Sequence, residues 1–342
     1  MSARQSIIPV FVPHLGCPND CVFCNQRRIS GSQQPATAQT VREAIEKAAA
    51  LPRIGAERQL AFYGGSFTAI PLPEQLSLLE AAKEYLDRGE IGSVRLSTRP
   101  DAIDGSTLTR LKAYGVETIE LGAQSMDDEV LRLSGRGHTA EDVENASRLI
   151  KAAGFKLILQ MMTGLPGDRA EKSLETARRI IALKPDGVRI YPTVIVRDTA
   201  LFDLWKAGRY REHSVEDAVS VCAKIVPLFE EAGIPIIRLG LNPTEDLSSG
   251  EAAGGAYHPA LGELVRSRIL YERAHGLLIG IEPGSAVVLG VAPGAVSQMV
   301  GQHRHNILQL CSDFDLKSLR IRPAELKNRE IIILSVEKKR RM

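Results

Sequence analysis

Short apolar, β-branched runs alternate with amphipathic stretches along most of the chain, at residues 7–12, 59–63, 93–97, 118–122, 156–161 and 187–191. Each run has the length and residue types of a strand. Between them, residues 41–51, 73–86, 106–114, 140–153 and 170–183 place apolar side chains at helical spacing. Thr139 with Asp142 forms a capping-box pattern ahead of one helix, and Gly115 and Gly154 sit where helices should stop. Six such units predict an α/β fold with a parallel sheet that is either open and doubly wound or curled into a barrel, complete or partial.

In both architectures ligands gather at the C-terminal ends of the strands. The polar and glycine-rich phrases of this chain fall at those ends: GCPNDC, GGSF, STRPD, GAQS, QMMTGLPG and YPT, in strand order. After Arg211 the cadence weakens to a helix at 215–232, a strand at 235–239, the glycine-rich SSGEAAGGAYHP, a further helix and the tail EKKRRM. No internal repeat or Pro/Ser-rich linker is present. Residues 1–211 are therefore expected to form the core, and residues 212–342 a C-terminal extension packing on it.

Composition changes this picture little. A chain of 342 residues can bury a full core, and a net charge of +2 neither demands nor excludes an anionic partner. Local basic groups are Arg27 and Arg28, then Arg266, Arg268 and Arg273 on one helix, and Lys338 to Arg341 at the end. Only 5% of residues are aromatic, which leaves few platforms for base stacking. The N-terminal apolar run stops at Pro13 and no stretch is long enough to cross a bilayer, so a soluble, cytoplasmic protein with no membrane partner is expected. Five unevenly clustered cysteines do not form a secreted disulfide pattern; in a reducing compartment they suggest metal.

Three of the five, Cys17, Cys21 and Cys24, have the spacing C-x3-C-x2-C in the first strand-end loop. Structural zinc takes four protein ligands, and no second cysteine pair exists, although His14 could complete a Cys3His set. An iron–sulfur cluster held by three thiolates leaves one iron open to a ligand that is not protein. Cys222 lies on the apolar face of a helix and reads as core. Cys311 lies near His303 and His305, which raises a second metal site without a recognisable zinc spacing, while GQHRHNILQL reads as a helix start whose polar residues are exposed or contact an anion.

The cysteine motif, with Phe23 before Cys24, resembles the signature of the radical S-adenosylmethionine (SAM) enzymes. The resemblance implies a partial (β/α)6 barrel. It also implies a [4Fe-4S] cluster on the three cysteines, with SAM chelating the fourth iron and cleaved by one electron to a 5′-deoxyadenosyl radical. A reductant such as flavodoxin or ferredoxin is implied as electron donor. Gly64, Gly65 and Ser66 of GGSF match the family segment whose backbone meets the methionyl amine, where glycine permits close approach. Aligned by motif with the coproporphyrinogen dehydrogenase branch, Ser97, Gln124, Arg136 and Gln160 match SAM contacts, and Phe11 and Phe23 lie near the cluster. That branch has acidic residues where this chain has Ser97 and Gln160.

A closer resemblance is to the radical SAM domain of the Elongator catalytic subunit. YGGSFTAI, STRPDAID, IELGAQSMDDEVL, GRGHTAEDV, GLPGD and RIYPTVIVRDTALFDLWKAGRY run in that family's order, from Ser6 to Tyr210. It implies radical chemistry on a tRNA wobble uridine. The last hundred residues contain no acetyl-CoA-binding Q/R-x-x-G-x-G/A pattern, so acetyl-CoA-dependent carboxymethylation is not expected. Two alternatives stand beside tRNA modification: radical SAM chemistry on a small molecule or tetrapyrrole, and a noncatalytic iron–sulfur electron carrier or sensor.

Overall fold

The computed structural model describes residues 6–12, 21–25, 36–51, 57–241, 251–327 and 330–338. The main sheet is built from β1 (Ser6–Phe11), β2 (Arg58–Tyr63), β3 (Ser93–Thr98), β4 (Val116–Gln124), β5 (Lys156–Thr163), β6 (Gly187–Pro192) and β8 (Ile236–Leu239). Its strands neighbour one another in chain order, β1-β2-β3-β4-β5-β6-β8, and every pair is parallel. A doubly wound sheet would reverse order at a switch point. This sheet never does, and it curls into a half-barrel, the partial-barrel alternative. It holds one strand more than the six units expected: the run at 235–239 joins the main sheet.

The helices between these strands are α1 (Ala38–Ala49), α2 (Leu72–Asp87), α3 (Gly105–Ala113), α4 (Asp128–Leu133), α5 (Ala140–Ala152) and α6 (Ala170–Ala182). Their starts are chemically marked. Thr37 and Thr40 close a capping box on α1, Thr139 and Asp142 close the expected one on α5, and Asp104 and Asp127 cap α3 and α4. Gly115 and Gly154 follow α3 and α5 with φ of 76° and 77°, a left-handed stop that a side chain would resist.

Strand alternation sorts the sheet into two rows. Leu60, Phe62, Leu96, Ile119, Leu121, Leu157, Leu159 and Ile190 are fully buried. The other row is polar: Gln59, Tyr63, Arg95, Glu120 and Arg189 hydrogen-bond across β2, β3, β4 and β6 and so share one face. With helices outside a curled parallel sheet, the apolar row meets the helices and the polar row lines the inner face.

By contacts the chain divides into two compact units, Met1–Ser214 with Ile225–Tyr257, and Val215–Lys224 with His258–Met342. The first also contains β7 (Val194–Val196) paired antiparallel with β9 (Ala252–Gly255), and α7 (Ala200–Lys206). Helix α8 (Val215–Glu231) carries residues of both units, including the buried Cys222. The second unit contains α9 (Leu261–Leu278), β10 (Ala286–Val291), α10 (Val296–Val300), α11 (His305–Asp313), β11 (Ser318–Pro323) and β12 (Ile331–Glu337). Its sheet has the order β11-β10-β12, with β10 parallel to β11 and antiparallel to β12, over a core of Leu270, Val287, Leu289, Met299 and Leu310. No helix among the described residues is long and apolar enough to cross a membrane.

Candidate active site at the mouth of the half-barrel

The cysteine loop follows β1. Cys17 lies outside the described residues, as do Arg27 and Arg28; Cys21 is buried and Cys24 half-buried. The backbone turns tightly between the latter two, with Cys24 N–H donating to Cys21 C=O at 2.9 Å. Val22 anchors the turn on both sides: its N–H reaches Ser134 C=O at 3.1 Å, and its C=O accepts from Leu201 N–H at 2.7 Å. Phe23 is half-buried against Ile195, Leu201 and Tyr210, so its ring fixes the loop to α7 and its neighbours. Phe11, at the end of β1, is 38% exposed.

One side chain ties this loop to the far strands. Arg136 is buried; its Nη1 donates to Cys21 Sγ at 3.2 Å and its Nη2 to Gly122 C=O at 2.7 Å. The Arg136 carbonyl is in turn held by Arg99 Nη2 at 3.0 Å, and the Arg99 guanidinium also grips Asp101 at 2.7 and 2.8 Å. Burial works to raise the Asp101 carboxyl, but Arg99 overrides it and holds the group below its ordinary range. Glycines at 135 and 137, with φ of 66° and 71°, let the chain double back on either side of Arg136.

Gln124 closes β4 with φ of 65°, where the pairing with β5 shifts register after Gly122. Its buried Oε1 has no partner among the described residues. A Cβ on Gly122 would sit 2.9 Å from Gln124 Nε2 and 3.3 Å from Arg136 Nη2, so the bare glycine makes the slot in which both side chains lie. Ser97 is half-buried and its Oγ is unpartnered among the described residues. Register sets Ser97 beside Glu120, and half-buried Gln160 beside Gly122. Gly64, at φ of 92°, and Gly65 are half-buried after β2. Ser66 is buried, and its hydroxyl is engaged by Thr98 Oγ1 at 3.0 Å and by Arg99 N–H at 3.2 Å.

Under these groups lies a floor that pattern reading had not singled out. Glu120 is fully buried and binds two arginines, Arg95 at 2.9 Å and Arg189 at 2.8 Å, while Tyr63 donates to it at 3.1 Å. Burial and then the Glu120 charge push the Tyr63 phenol up to about 12. Burial alone would lower Arg189, but Glu120 reverses this and raises it. One carboxylate against two guanidinia leaves this floor polar and positively biased. The available signal was a charge in the middle of each of three apolar strands: Arg95, Glu120 and Arg189. His138 is also new: its Nε2 lies 3.2 Å from Ala123 C=O, Nδ1 has no partner among the described residues, and burial with the Arg136 charge lowers it to about 4.

GLPGD serves the backbone. Asp168 accepts from Gly164 N–H at 2.8 Å and from Ser173 Oγ at 2.6 Å, and Tyr210 OH caps Gly164 C=O at 2.6 Å. In the second unit, Arg266 and Arg268 each pair with a glutamate of their own helix, and Lys338 pairs with Glu282. Residues 339–342 lie outside the described residues. Cys311 is half-buried against the unit's core, and among the described residues no three His, Cys, Asp or Glu side chains are arranged to hold a metal ion.

This architecture defines a class: a parallel half-barrel that presents a cysteine loop after its first strand and converging glycine, serine, glutamine and arginine groups after the next four. The radical SAM superfamily profile matches residues 11–180, and the profile of the radical SAM C-terminal domain matches residues 185–270. The chain belongs to the radical SAM superfamily, whose cofactors are a [4Fe-4S] cluster and SAM. It is 32% identical to human Elongator complex protein 3 over 227 residues, 60% of this chain and 40% of that protein. It is also 30% identical over 206 residues to a tRNA uridine(34) acetyltransferase of Methanocaldococcus jannaschii, covering 59% and 37% of the two chains. The chain thus spans about 40% of the length of these relatives. Among solved structures, the archaeal Methanocaldococcus infernus Elp3 superposes with a TM-score of 0.62 at 23% identity, over 82% of this chain and 66% of the other, a likeness of fold.

The residues present fit both cofactors. A guanidinium donates to Cys21, a charge-complementary partner for a metal-bound thiolate. Gln124 Oε1 and Ser97 Oγ are buried polar atoms with no partner among the described residues, which suits contact with a polar cofactor, and a single methyl group would fill the Gly122 slot.

Proposed function

We propose that this chain modifies a base of tRNA by radical SAM chemistry. The observation that carries it is Arg136, which spans from Cys21 to Gly122 and so ties the cysteine loop to the end of β4, beside the unpartnered Gln124 Oε1. Cys17, Cys21 and Cys24 hold the cluster. Gly64, Gly65 and Ser66 offer backbone to the amino-acid end of SAM, and Ser97, Gln124, Arg136 and Gln160 offer polar contacts; Phe11 and Phe23 wall the cluster side. When bound, the cluster supplies the electron that turns SAM into a hydrogen-abstracting radical source. The polar Tyr63–Arg95–Glu120–Arg189 floor suits a base edge rich in hydrogen-bonding groups, whereas a macrocycle with wide apolar faces would call for apolar walls. Similarity to the tRNA uridine(34) acetyltransferase supports the same substrate class.

The chemistry is assigned to residues 1–211, and residues 212–342 take an accessory role. A flavodoxin or ferredoxin is the proposed reductant, and the cytoplasm the proposed location. Reconstituted anaerobically, the protein should hold about four irons per chain, lost on replacing Cys17, Cys21 or Cys24 by Ala, and should release 5′-deoxyadenosine with dithionite and SAM. Nucleoside mass spectrometry of tRNA from cells with and without the gene tests the substrate. Loss of one modified nucleoside is expected, and an unchanged profile would overturn the tRNA reading.

A further inference from the structure

In the second unit, the strand β10, the helices α10 and α11, and the strand β11 follow in immediate succession, and the two helices are joined by Gly301, Gln302, His303 and Arg304. The backbone of this loop is costly. His303 and Arg304 both adopt left-handed conformations, at φ/ψ of 50°/29° and 62°/23°. They are the only adjacent pair of non-glycine residues with positive φ among the described residues. Each costs on the order of 1–2 kcal/mol, and glycine or asparagine would make an ordinary turn there for less.

The fold holds this loop from behind. Gly301 has φ of 75° and ψ of 166°, and a Cβ on it would lie 3.0 Å from Asn306 Cγ. Asn306 is buried, and its Nδ2 lies 3.2 Å from Met299 C=O and 3.0 Å from Ser267 Oγ, which joins the loop to α9 and α10. Meanwhile the side chains of Gln302, His303, Arg304 and His305 all face solvent. None of these four side chains makes a hydrogen bond or ion pair among the described residues, whereas Arg268 and Lys338 of the same unit are already neutralised by glutamates. One turn beyond Arg304, on the same face of α11, Leu308 is 62% exposed. A rigid, unpaired cationic loop beside an exposed apolar side chain complements a ligand with anionic groups and an apolar face in sequence.

We propose that Gly301 to Arg304 clamps the phosphate backbone of single-stranded RNA, with a base over Leu308. A glycine-led four-residue loop between two helices is the device by which KH modules hold the backbone of four nucleotides. Here the fourth position carries Arg304, which adds a charge where that device has glycine, and exposed Arg320 and Arg322 on the edge strand β11 add further positive charge to the unit.

The test is fluorescence anisotropy of the full chain with a labelled single-stranded RNA ten nucleotides long, across a salt series. Binding should weaken with salt at roughly 0.7 logarithmic units per phosphate contact. Arg304→Glu and, separately, Gln302→Asp should lower affinity about tenfold or more, and Arg304→Glu should reduce the salt slope by about one contact. Both positions are solvent-exposed, and thermal melting of each variant checks the fold; should either unfold, the other carries the test. Wild-type affinity in both variants would overturn the proposal. So would equal competition by polyglutamate, which would mark a general anion surface, or stronger binding to duplex RNA of the same length. The assay needs neither cluster nor SAM, so its failure leaves the proposed radical activity standing, and an inactive enzyme leaves this site standing.

Discussion

Arg136 Nη1 reaches Cys21 Sγ at 3.2 Å across 115 residues of sequence. The same guanidinium holds Gly122 C=O, so it positions cysteine and strand end together. Arg136→Ala should keep about four irons per chain, because the three thiolates remain, but weaken SAM binding about tenfold, near 1.4 kcal/mol. Arg136→Lys should not rescue it, since a point charge cannot span two acceptors. Iron analysis and anaerobic equilibrium binding of SAM check this. Loss of iron in Arg136→Ala would make it a cluster-holding residue instead.

Gly122→Ala places a methyl group in the slot shared by Gln124 and Arg136. Both neighbours are ends of flexible side chains, so the fold should survive with a melting temperature within a few degrees of wild type. SAM affinity should fall to the level of Gln124→Ala. Calorimetry and SAM titration of the two variants side by side give the comparison; unchanged affinity in Gly122→Ala would remove the slot from the site.

Glu120→Gln leaves the buried Arg95 and the half-buried Arg189 with no counter-charge. Breaking a buried pair in this way costs about 3–5 kcal/mol. Replacing Arg189 by Met in the same chain should recover part of that loss, because one of the stranded charges is then gone. Urea unfolding of the single and double variants measures both, and a double variant less stable than the single one would contradict the assignment of Glu120 as counter-ion.

His138 is held near 4 when folded, against an ordinary value of 6.5. Between those values the unfolded chain binds a proton that the folded chain refuses, so stability is full above pH 6.5 and is lost as pH falls toward 4. The loss attributable to this one group approaches about 3 kcal/mol at the acid end. His138→Gln should flatten this part of the profile, as read by denaturant unfolding at pH 7, 6 and 5.

Much of the first unit was legible because the strands are short, β-branched and apolar on the row that meets the helices, and because Thr139 and Gly154 mark helix ends in local chemistry. The membership of Ile236–Leu239 in the main sheet was not, since four residues after a long excursion carry no sign of their pairing partner. At the site, strand-end motifs indicated Gln124 and Arg136, but nothing in GAQS says that Gln124, rather than the nearby Gly122, takes the left-handed conformation. Arg95, Glu120 and Arg189 stand in the sequence as charges inside strands, but their meaning depends on β3, β4 and β6 facing one another across a curled sheet in which β5 separates the last two. In the second unit, residues 331–337 open on four consecutive apolar side chains, and such a run does not say which face is covered or that its partner is β10.

The order of strands also sets a timetable for biosynthesis. Each strand of the main sheet up to β6 pairs with the one made just before it, so the half-barrel can assemble from its first strand as the chain leaves the ribosome. Cys21 then exists well before Arg136: at about 5–20 residues per second, the 115 intervening residues take roughly 6 to 23 seconds. Throughout that interval the thiols lack the guanidinium that will shelter one of them. A nascent chain stalled between residues 24 and 136 would therefore be more sensitive to oxidants than the finished protein, and iron delivery to the released chain would find a loop already fastened by Arg136.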